Sequence, residues 1–254
     1  MRRPLIAGNW KMNPPTQADA YGLARAVAEA HEPMEAVDAV VCPPTPWLVA
    51  VSQAAAGTRL AVGAQTMHWE ERGAYTGETS PLMLADLATY VIIGHSERRL
   101  YDGETDATVA RKIASAVAHG LRPIAAIGER LEERRGGQTR AVIDRQLRAA
   151  ISGVDTVAGS GLVVAYEPVW AIGTGEAADP ADAQAAAAQI RTILRERYGD
   201  DADTVRIQYG GSVTGDNAAH FFGQPDVDGA LVGGASLQPE QFAAILAAAA
   251  GSAE

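Results

Sequence analysis

The chain has 254 residues, of which 47% are hydrophobic, and it carries a formal net charge of -10 at pH 7. This length supports one large core, and the lack of a Pro/Gly/Ser-rich linker in the sequence predicts a single domain over residues 1–254. The acidic balance argues against nucleic acid or an anionic membrane as a partner, and no apolar run in the sequence is long enough to span a bilayer.

The only cysteine, Cys42, lies within the apolar run 37–42 and has no partner for an internal disulfide. We interpret it as a buried apolar side chain in a protein of the reducing cytoplasm. Residues 4–11, which follow Met1 and two arginines, do not form the long apolar segment of a signal peptide. The sequence therefore predicts no targeting segment.

Short apolar runs alternate with helical segments along the chain. Strands are predicted at 5–9, 37–42, 60–64, 90–93, 122–127, 162–166, 205–209 and 229–232. Helical segments are predicted at 16–31, 46–56, from 80 onward, and at 104–119, 138–151, 179–198, 215–222 and 239–250. Eight such repeats are typical of an α/β protein with a (β/α)8 barrel. A doubly wound sheet is less favoured, because no Gly-x-Gly-x-x-Gly follows the first strand.

Strand 1 ends in Asn9-Trp10-Lys11, where a spacing of two places Asn9 and Lys11 on the same side. Lys11 and Lys112 are the only lysines among the 21 basic residues. Because the chain otherwise uses arginine, position 11 is expected to need a compact ammonium ion. Such a group suits a narrow pocket that holds an oxyanion.

The loop after strand 3, residues 65–79, is long and carries Met67, Trp69 and Tyr75, which a solvated loop would not expose. We predict that this loop inserts into a second subunit and so forms a homodimer. The alternative is that the loop folds back onto its own chain.

Strand 4 ends in Gly94-His95-Ser96-Glu97, and the serine can begin a short helix. If His95 accepts a backbone N–H at this helix start, the imidazole is neutral and donates through its other nitrogen. A single histidine is more often structural, but its position at a barrel strand end favours a functional role. Glu97 is expected to pair either with Lys11 or with the two arginines that follow it.

Strand 6 ends at a carboxylate, Glu167, which the packing of a buried strand does not require. Pro168 stops further ladder pairing, and the loop that follows has an apolar middle and two glycines before Asp179 begins a helix. A strand-end acid beneath such a loop suggests a general base under a lid. The alternative is a surface acid beside an ordinary turn.

Strands 7 and 8 both end in paired glycines, at 210–211 and 233–234. Backbone N–H groups at the starts of short helices bind phosphate, and barrels commonly hold one in the loops after these two strands. Two ordinary glycine turns are the alternative, but their occurrence after adjacent strands favours a phosphate site.

Six strand-end motifs, in order from residue 5 to about 240, resemble the triosephosphate isomerase family. They are AGNWKMN at 7–13, GAYTGE at 73–78, GHSERR at 94–99, YEPVWAIGTG at 166–175, YGGSV at 209–213 and GGASL at 233–237. The resemblance implies a homodimeric TIM-barrel isomerase without metal or cofactor. It would interconvert dihydroxyacetone phosphate and D-glyceraldehyde 3-phosphate in glycolysis and gluconeogenesis.

The same resemblance implies roles for individual residues. Glu167 is expected to be the base and His95 the electrophile, while Lys11 and Asn9 face the substrate oxygens. The backbone of Gly173, Ser212, Gly233 and Gly234 is expected to bind the phosphate. Thr76 is expected to support Asn9 and Lys11 of the neighbouring subunit. Ile172 and Leu231 are expected to form an apolar clamp over Glu167.

Two positions depart from the family pattern. Ala126 stands where the family usually has cysteine, which predicts looser packing near the site without loss of activity. Glu176 follows the last glycine of the lid, where lysine is frequent. This second departure is expected to affect the hinge of the lid rather than the chemistry.

Three other functions fit parts of the sequence. An isomerase of another short ketose phosphate, such as a four-carbon erythrulose phosphate, would need the same residues. A barrel lyase or synthase could share the phosphate loops, but Lys11 is the only strand-end lysine available for a Schiff base. A phosphate-binding barrel without catalysis would not need Glu167, His95 and a lid together.

Overall fold

The computed structural model describes residues 2–171 and 178–252, in which eight parallel strands form a closed barrel in chain order. The strands are β1 (Leu5–Asn9), β2 (Asp38–Cys42), β3 (Ala61–Ala64), β4 (Tyr90–Ile93), β5 (Arg122–Ile127), β6 (Val163–Tyr166), β7 (Arg206–Tyr209) and β8 (Gly229–Val232). The last strand pairs with the first, from Leu5 against Gly229 to Gly8 against Val232. The predicted (β/α)8 architecture is thus confirmed.

Four strands have the predicted bounds, and the other four each begin one residue later than predicted. The residues left out of these strands are all buried, namely Val37, Leu60, Leu162 and Val205. Apolar patterning reports burial rather than ladder pairing, and these side chains enter the core before the ladder begins.

The helices of the described ranges surround the barrel. They are α1 (Gln17–His31), α2 (Leu48–Ala55), α3 (Pro81–Ala85), α4 (Ser96–Tyr101), α5 (Asp106–Ala118), α6 (Leu131–Arg135), α7 (Thr139–Ala150), α8 (Pro180–Tyr198), α9 (Ala218–Phe222) and α10 (Pro239–Gly251). Short 3-10 turns occur at Thr45–Trp47, Val169–Ala171, Gly199–Thr204 and Gly234–Leu237. None of these helices is both long and apolar enough to cross a membrane.

Helix starts follow the capping chemistry that the sequence predicts. Thr16 accepts the Asp19 N–H at 3.1 Å, and Asp179 accepts the Ala181 N–H at 2.8 Å ahead of Pro180. Each such cap stabilises its helix by about 1 kcal/mol.

The core has two layers that follow from the alternation of side chains along each strand. One cluster fills the inside of the barrel and is made of Leu5, Ala7, Val40, Cys42, Tyr90, Ile92, Ile124, Val163, Ala165 and Leu231. A larger cluster lies between the strands and the helices and contains Ile6, Val41 and Ile93 among many others. The packed interior leaves the carboxyl ends of the strands as the place for polar groups.

The loop 65–79 divides into a base that packs on its own chain and an exposed tip. Met67 is wholly buried, and Trp69 stacks on His68 at 4.1 Å and lies 5.3 Å beneath the Arg111 guanidinium. Residues 70–78, including Tyr75, are exposed. The alternative of folding back therefore holds for Met67 and Trp69. The tip is exposed, but its Tyr75 ring also lies 4.2 Å from the His68 ring of the same chain.

Candidate active site

Residues from five strand ends line one cavity of about 290 Å³ at the carboxyl mouth of the barrel. Four of the predicted polar residues, Asn9, Lys11, His95 and Glu167, meet there. They share the cavity with Leu231 and with the two glycine loops, 210–214 and 233–235. Asn9 and Glu167 are 158 positions apart in the sequence, yet both line this cavity. They converge because the parallel strands of the barrel all end on the same face.

Lys11 has an unusual backbone conformation, with a φ angle of 53° that is rare for a residue other than glycine. Two side chains hold it: Asn9 Oδ1 accepts the Lys11 N–H at 3.0 Å, and Gln65 Nε2 donates to the Lys11 carbonyl at 2.8 Å. A conformation of this kind costs about 1–3 kcal/mol and persists where the surroundings impose it. Here it directs the ammonium group into the cavity.

The Lys11 ammonium group pairs with Glu97, with 2.5 Å between Nζ and Oε1. The sequence left this partner open between Lys11 and the adjacent arginines. In the structure Arg98 instead pairs with Asp102 at 3.3 Å, and Arg99 pairs with Asp106 at 2.7 Å. Glu97 is therefore free of arginine partners among the described residues and fixes the lysine.

The ring of His95 is held at both nitrogens. Nδ1 accepts the Glu97 N–H at 3.2 Å at the start of α4, and Nε2 lies 3.1 Å from Glu167 Oε1. A nitrogen that accepts a hydrogen bond carries no proton, so this network assigns the proton to Nε2. The neutral, donating imidazole that the sequence predicts is the form that fits these contacts.

Glu167 is almost wholly buried, with 2% of its surface exposed. Its Oε2 accepts the Ser96 N–H at 3.0 Å, while Oε1 faces His95. Glycines at the ends of β5 and β7 leave room for Glu167. A Cβ atom added at Gly128 would lie 1.8 Å from the Glu167 carbonyl oxygen, which is too close for any side chain. At Gly210 the same atom would lie 2.9 Å from Glu167 Cγ. The sequence interpretation gave neither glycine this role.

The two glycine loops present backbone to the other side of the cavity. Gly233 precedes the short 3-10 turn Gly234–Leu237, and Ser236 Oγ donates to the Gly233 carbonyl at 2.7 Å. Ser212 is fixed by Asn217, which donates to its carbonyl at 3.2 Å and accepts the Thr214 N–H at 2.9 Å. This shell of exposed backbone dipoles suits an oxyanion.

A buried carboxylate that the sequence interpretation overlooked, Glu129, anchors the segment after Glu167. It accepts hydrogen bonds from the Tyr166 hydroxyl at 3.1 Å and from Trp170 Nε1 at 3.0 Å. The Arg134 guanidinium lies 4.3 Å from the Trp170 ring and 3.8 Å from Glu129. Burial, followed by the charge of Glu129, raises the pKa of Tyr166, so its hydroxyl stays protonated and donates.

The far end of the predicted lid is also anchored. The Ala178 N–H donates to the Tyr209 hydroxyl at 3.0 Å, and burial raises the pKa of Tyr209 to about 12. Between these anchors, the predicted clamp residue Ile172, the phosphate residue Gly173 and the departure at Glu176 lie outside the described residues. Ala126 is wholly buried on β5, and Thr76 lies in the exposed tip of the loop 65–79.

A larger cavity of about 660 Å³ adjoins the first and shares Glu167 with it. Two of its arginines, Arg99 and Arg145, are held by one carboxylate, since both pair with Asp106 at 2.7 Å. The smaller cavity is the one that brings a carboxylate, an imidazole and an ammonium group together around an open centre, so it is the candidate site for the chemistry despite its size.

Moving a proton between adjacent carbons of a phosphorylated sugar requires a base, a proton donor and a seat for the phosphate. The smaller cavity offers groups of all three kinds. A (β/α)8 barrel with this arrangement defines an aldose–ketose isomerase as the class of protein.

Comparisons with known proteins identify the family within that class. Residues 4–249 match the triosephosphate isomerase family. The triosephosphate isomerase of Moorella thermoacetica is 53% identical over 249 residues, which cover 97% of this chain and 98% of that protein. The enzyme of Chloroflexus aurantiacus is 52% identical over 248 residues, which cover 97% and 99%. The crystal structure of triosephosphate isomerase from Bartonella henselae, at 36% identity, gives a TM-score of 0.88 and covers 97% of this chain and 98% of that one.

This chain belongs to the triosephosphate isomerase family. It is an isomerase that interconverts dihydroxyacetone phosphate and D-glyceraldehyde 3-phosphate, a step of glycolysis. Identity near 50% over the full length to proteins of that name favours this reaction over the four-carbon alternative.

Proposed function

We propose that Glu167 and His95 carry the two proton transfers of the isomerisation. Glu167 removes a proton from the carbon beside the substrate carbonyl, and the electron pair moves into an enediolate. His95 Nε2 gives its proton to one substrate oxygen and takes a proton from the neighbouring oxygen. Glu167 then returns a proton to the adjacent carbon, so base and imidazole both end as they began. The triosephosphate isomerase family is itself the standard example of this pairing.

The contact between His95 Nε2 and Glu167 Oε1 supports this proposal most directly. At 3.1 Å the two groups are within reach of one small molecule, and the acceptor contact at Nδ1 favours the neutral ring. Burial of Glu167 also excludes water, which strengthens electrostatic interactions in the cavity.

We propose that Lys11 stabilises the negative charge that develops on the enediolate. Asn9 contacts the other substrate oxygen. Glu97 holds the ammonium group, and the 53° backbone of Lys11 orients it. Ser212, Gly233 and Gly234 form the proposed phosphate seat together with Gly173, and Leu231 is the proposed apolar wall beside Glu167. Preorganised groups of this kind typically contribute about 10²–10³-fold each to the rate.

A coupled assay with purified protein tests the substrate. D-Glyceraldehyde 3-phosphate is expected to turn over, and four-carbon ketose phosphates are expected to react more slowly. Preference for a four-carbon substrate would overturn the assignment without affecting the residues that carry the proton transfer.

We further propose that the protein is a homodimer. Large apolar side chains are exposed on the segments that follow β1, β3 and β4: Met12, Tyr75, Leu82, Met83, Leu100 and Tyr101. We call this surface the loop-3 face. Met12 is 93% exposed and Tyr101 is 77% exposed, a degree of exposure that an apolar surface sustains when a partner covers it.

A second copy of this chain is the occupant that fits this face. The loop-3 face adjoins Lys11 and Glu97, so a partner's Thr76 could reach the Asn9 and Lys11 region that it is expected to support. Sedimentation should give twice the monomer mass of 26.5 kDa. A monomer at assay concentration with full activity would contradict the dimer.

We also propose that the chain is one domain over residues 1–254 and that it acts in the cytoplasm, in gluconeogenesis as well as glycolysis. The closed barrel, which draws strands from Leu5 to Val232, supports the single domain. The single, buried Cys42, whose pKa burial raises to about 12, supports a reducing compartment, because the chain makes no use of disulfides. Cell fractionation with an activity assay tests the location.

A further inference from the structure

A group of charged side chains closes the mouth of the barrel that faces away from the active site. Asp38, Tyr90, Arg122 and Arg206 are the first residues of β2, β4, β5 and β7, and Arg3 precedes β1. The amino ends of parallel strands share one face, so these five residues lie together. We call them the N-terminal arginine cluster.

Two guanidinium groups of this cluster donate to the same uncharged oxygen. Arg206 Nη2 donates to the Tyr90 hydroxyl at 3.0 Å, and Arg122 Nη1 donates to it at 3.3 Å. Cations this close repel each other unless an anion lies between or beside them. Among the described residues, the Tyr90 hydroxyl proton itself has no acceptor.

The cluster has fewer anions than cations. Asp38 pairs with Arg206 at 2.7 Å and with Arg3 at 2.9 Å, and it is the only carboxylate that pairs with the cluster within the described ranges. Three arginines thus face one aspartate, which leaves an excess of two positive charges. This excess stands out in a chain whose net charge is -10.

The Arg122 guanidinium group is held in place and is open to solvent. An added Cβ at Gly161 would lie 2.4 Å from Arg122 Cγ, so the stem of this arginine packs tightly against that backbone. The Arg122 guanidinium also lies 5.5 Å from the centre of the Tyr90 ring, and the Tyr90 side chain is fixed in the inner core. Arg122 is exposed, whereas the Arg206 side chain is 15% exposed. Little ordering would therefore be needed for both arginines to bind the same anion.

We propose that the N-terminal arginine cluster binds a small oxyanion, and that inorganic phosphate is its ligand class. The planar N–H donors of Arg122 and Arg206 match the oxygens of a tetrahedral anion, and a dianion would balance the excess charge. This site is separate from the substrate cavity, which lies at the other end of the barrel, and it does not rest on the proposed catalytic roles.

Equilibrium dialysis against labelled inorganic phosphate at constant ionic strength tests the proposal. The wild-type chain should bind two phosphates, one in the substrate cavity and one at the cluster. Arg122→Met should bind one. Arg140→Met, the same change at an exposed arginine on α7, should still bind two.

Turnover and its inhibition by phosphate show which site has been lost. Arg122→Met should keep the turnover of wild type and the same inhibition by phosphate, since the substrate cavity is untouched. The proposal is overturned if Arg122→Met binds as many phosphates as wild type, or if Arg122→Met loses phosphate inhibition together with a bound phosphate. Arg122→Lys, which folds with the charge retained but lacks the planar fork, should bind the second phosphate roughly tenfold more weakly.

Discussion

At the scale of single residues, the sequence predicted the side chains that meet in the smaller cavity but only some of the groups that hold them. Asn9, Lys11, His95 and Glu167 could be predicted because polar groups at strand ends are rare and easily recognised. Gln65 and Glu129 were not singled out, because their partners lie far away in sequence. Only the packed barrel brings Gln65 to the carbonyl of Lys11, and Glu129 to Trp170.

Replacement of Lys11 by arginine tests whether the site needs a compact ammonium ion. Arg keeps the charge, but its planar fork does not fit both the Glu97 contact and a substrate in a cavity of about 290 Å³. We expect kcat/KM to fall by about 10²-fold or more in steady-state assays. Normal turnover by Lys11→Arg would show that charge alone suffices.

The buried side chain of His31 makes the free energy of unfolding depend on pH. Its Nε2 donates to the Val37 carbonyl at 2.9 Å, its Nδ1 is buried without a partner among the described residues, and burial lowers its pKa below 6.5. The unfolded chain therefore binds this proton more readily than the folded protein does. Stability that is present above pH 6.5 should be lost as the pH falls below it.

Urea unfolding as a function of pH measures this effect. The free energy of unfolding of His31→Gln should fall less steeply below pH 6.5 than that of wild type. His220→Gln, the same change at an exposed histidine on α9, should follow wild type. If the two variants have parallel curves, His31 does not carry the effect.

At the scale of elements, strands were predicted more accurately than helices. Each strand is a buried apolar run that the sequence makes visible, and errors were confined to the first residue. Helix α6 (Leu131–Arg135) was missed because the polar LEERR segment has no apolar periodicity. The helix predicted from residue 215 begins at Ala218, because the Asn217 side chain closes a turn with Thr214 and Ser212. The helix predicted from residue 46 begins as the 3-10 turn Thr45–Trp47.

The turn Val169–Ala171 offers a test of how the proposed lid is anchored. Trp170→Phe removes the N–H that binds the buried carboxylate of Glu129, and a hydrogen bond to a charged group contributes about 1.5–3 kcal/mol. A loosened anchor should admit water and let more enediolate lose phosphate, so methylglyoxal should form a larger share of the product.

Trp47→Phe is the matched control, because it also removes one indole hydrogen bond, to the Pro14 carbonyl at 2.9 Å, but at a distance from the lid segment. Both variants should lose stability in thermal unfolding, and only Trp170→Phe should change the methylglyoxal share. An equal product ratio in both would count against the role of Glu129 as a lid anchor.

At the scale of the whole molecule, the loop-3 face should link activity to assembly. Tyr101→Asp places a charge on a side chain that is 77% exposed in the single chain, so it should leave folding intact and weaken association. Specific activity should then fall on dilution at concentrations where wild type stays active. Sedimentation under the same conditions gives the oligomeric state, and a variant that is dimeric and fully active would contradict this assignment of the interface.

The architecture of the whole molecule was predictable because strict alternation of eight strands and helices leaves few arrangements. What the sequence left open was which charged groups meet around the barrel: Glu97 beside Lys11 at one end, and Arg122 beside Arg206 at the other. Such pairs depend on which side chains the closed barrel brings within reach.

The role of Glu167 as the base is tested most directly by the exchange of dihydroxyacetone phosphate protons with D2O, followed by NMR. Wild type should incorporate deuterium at the carbon beside the carbonyl, because the base exchanges its proton with solvent during turnover. Glu167→Gln, which keeps the shape of the side chain, should slow this incorporation by about 10²–10⁴-fold. Incorporation at the wild-type rate by Glu167→Gln would contradict the account.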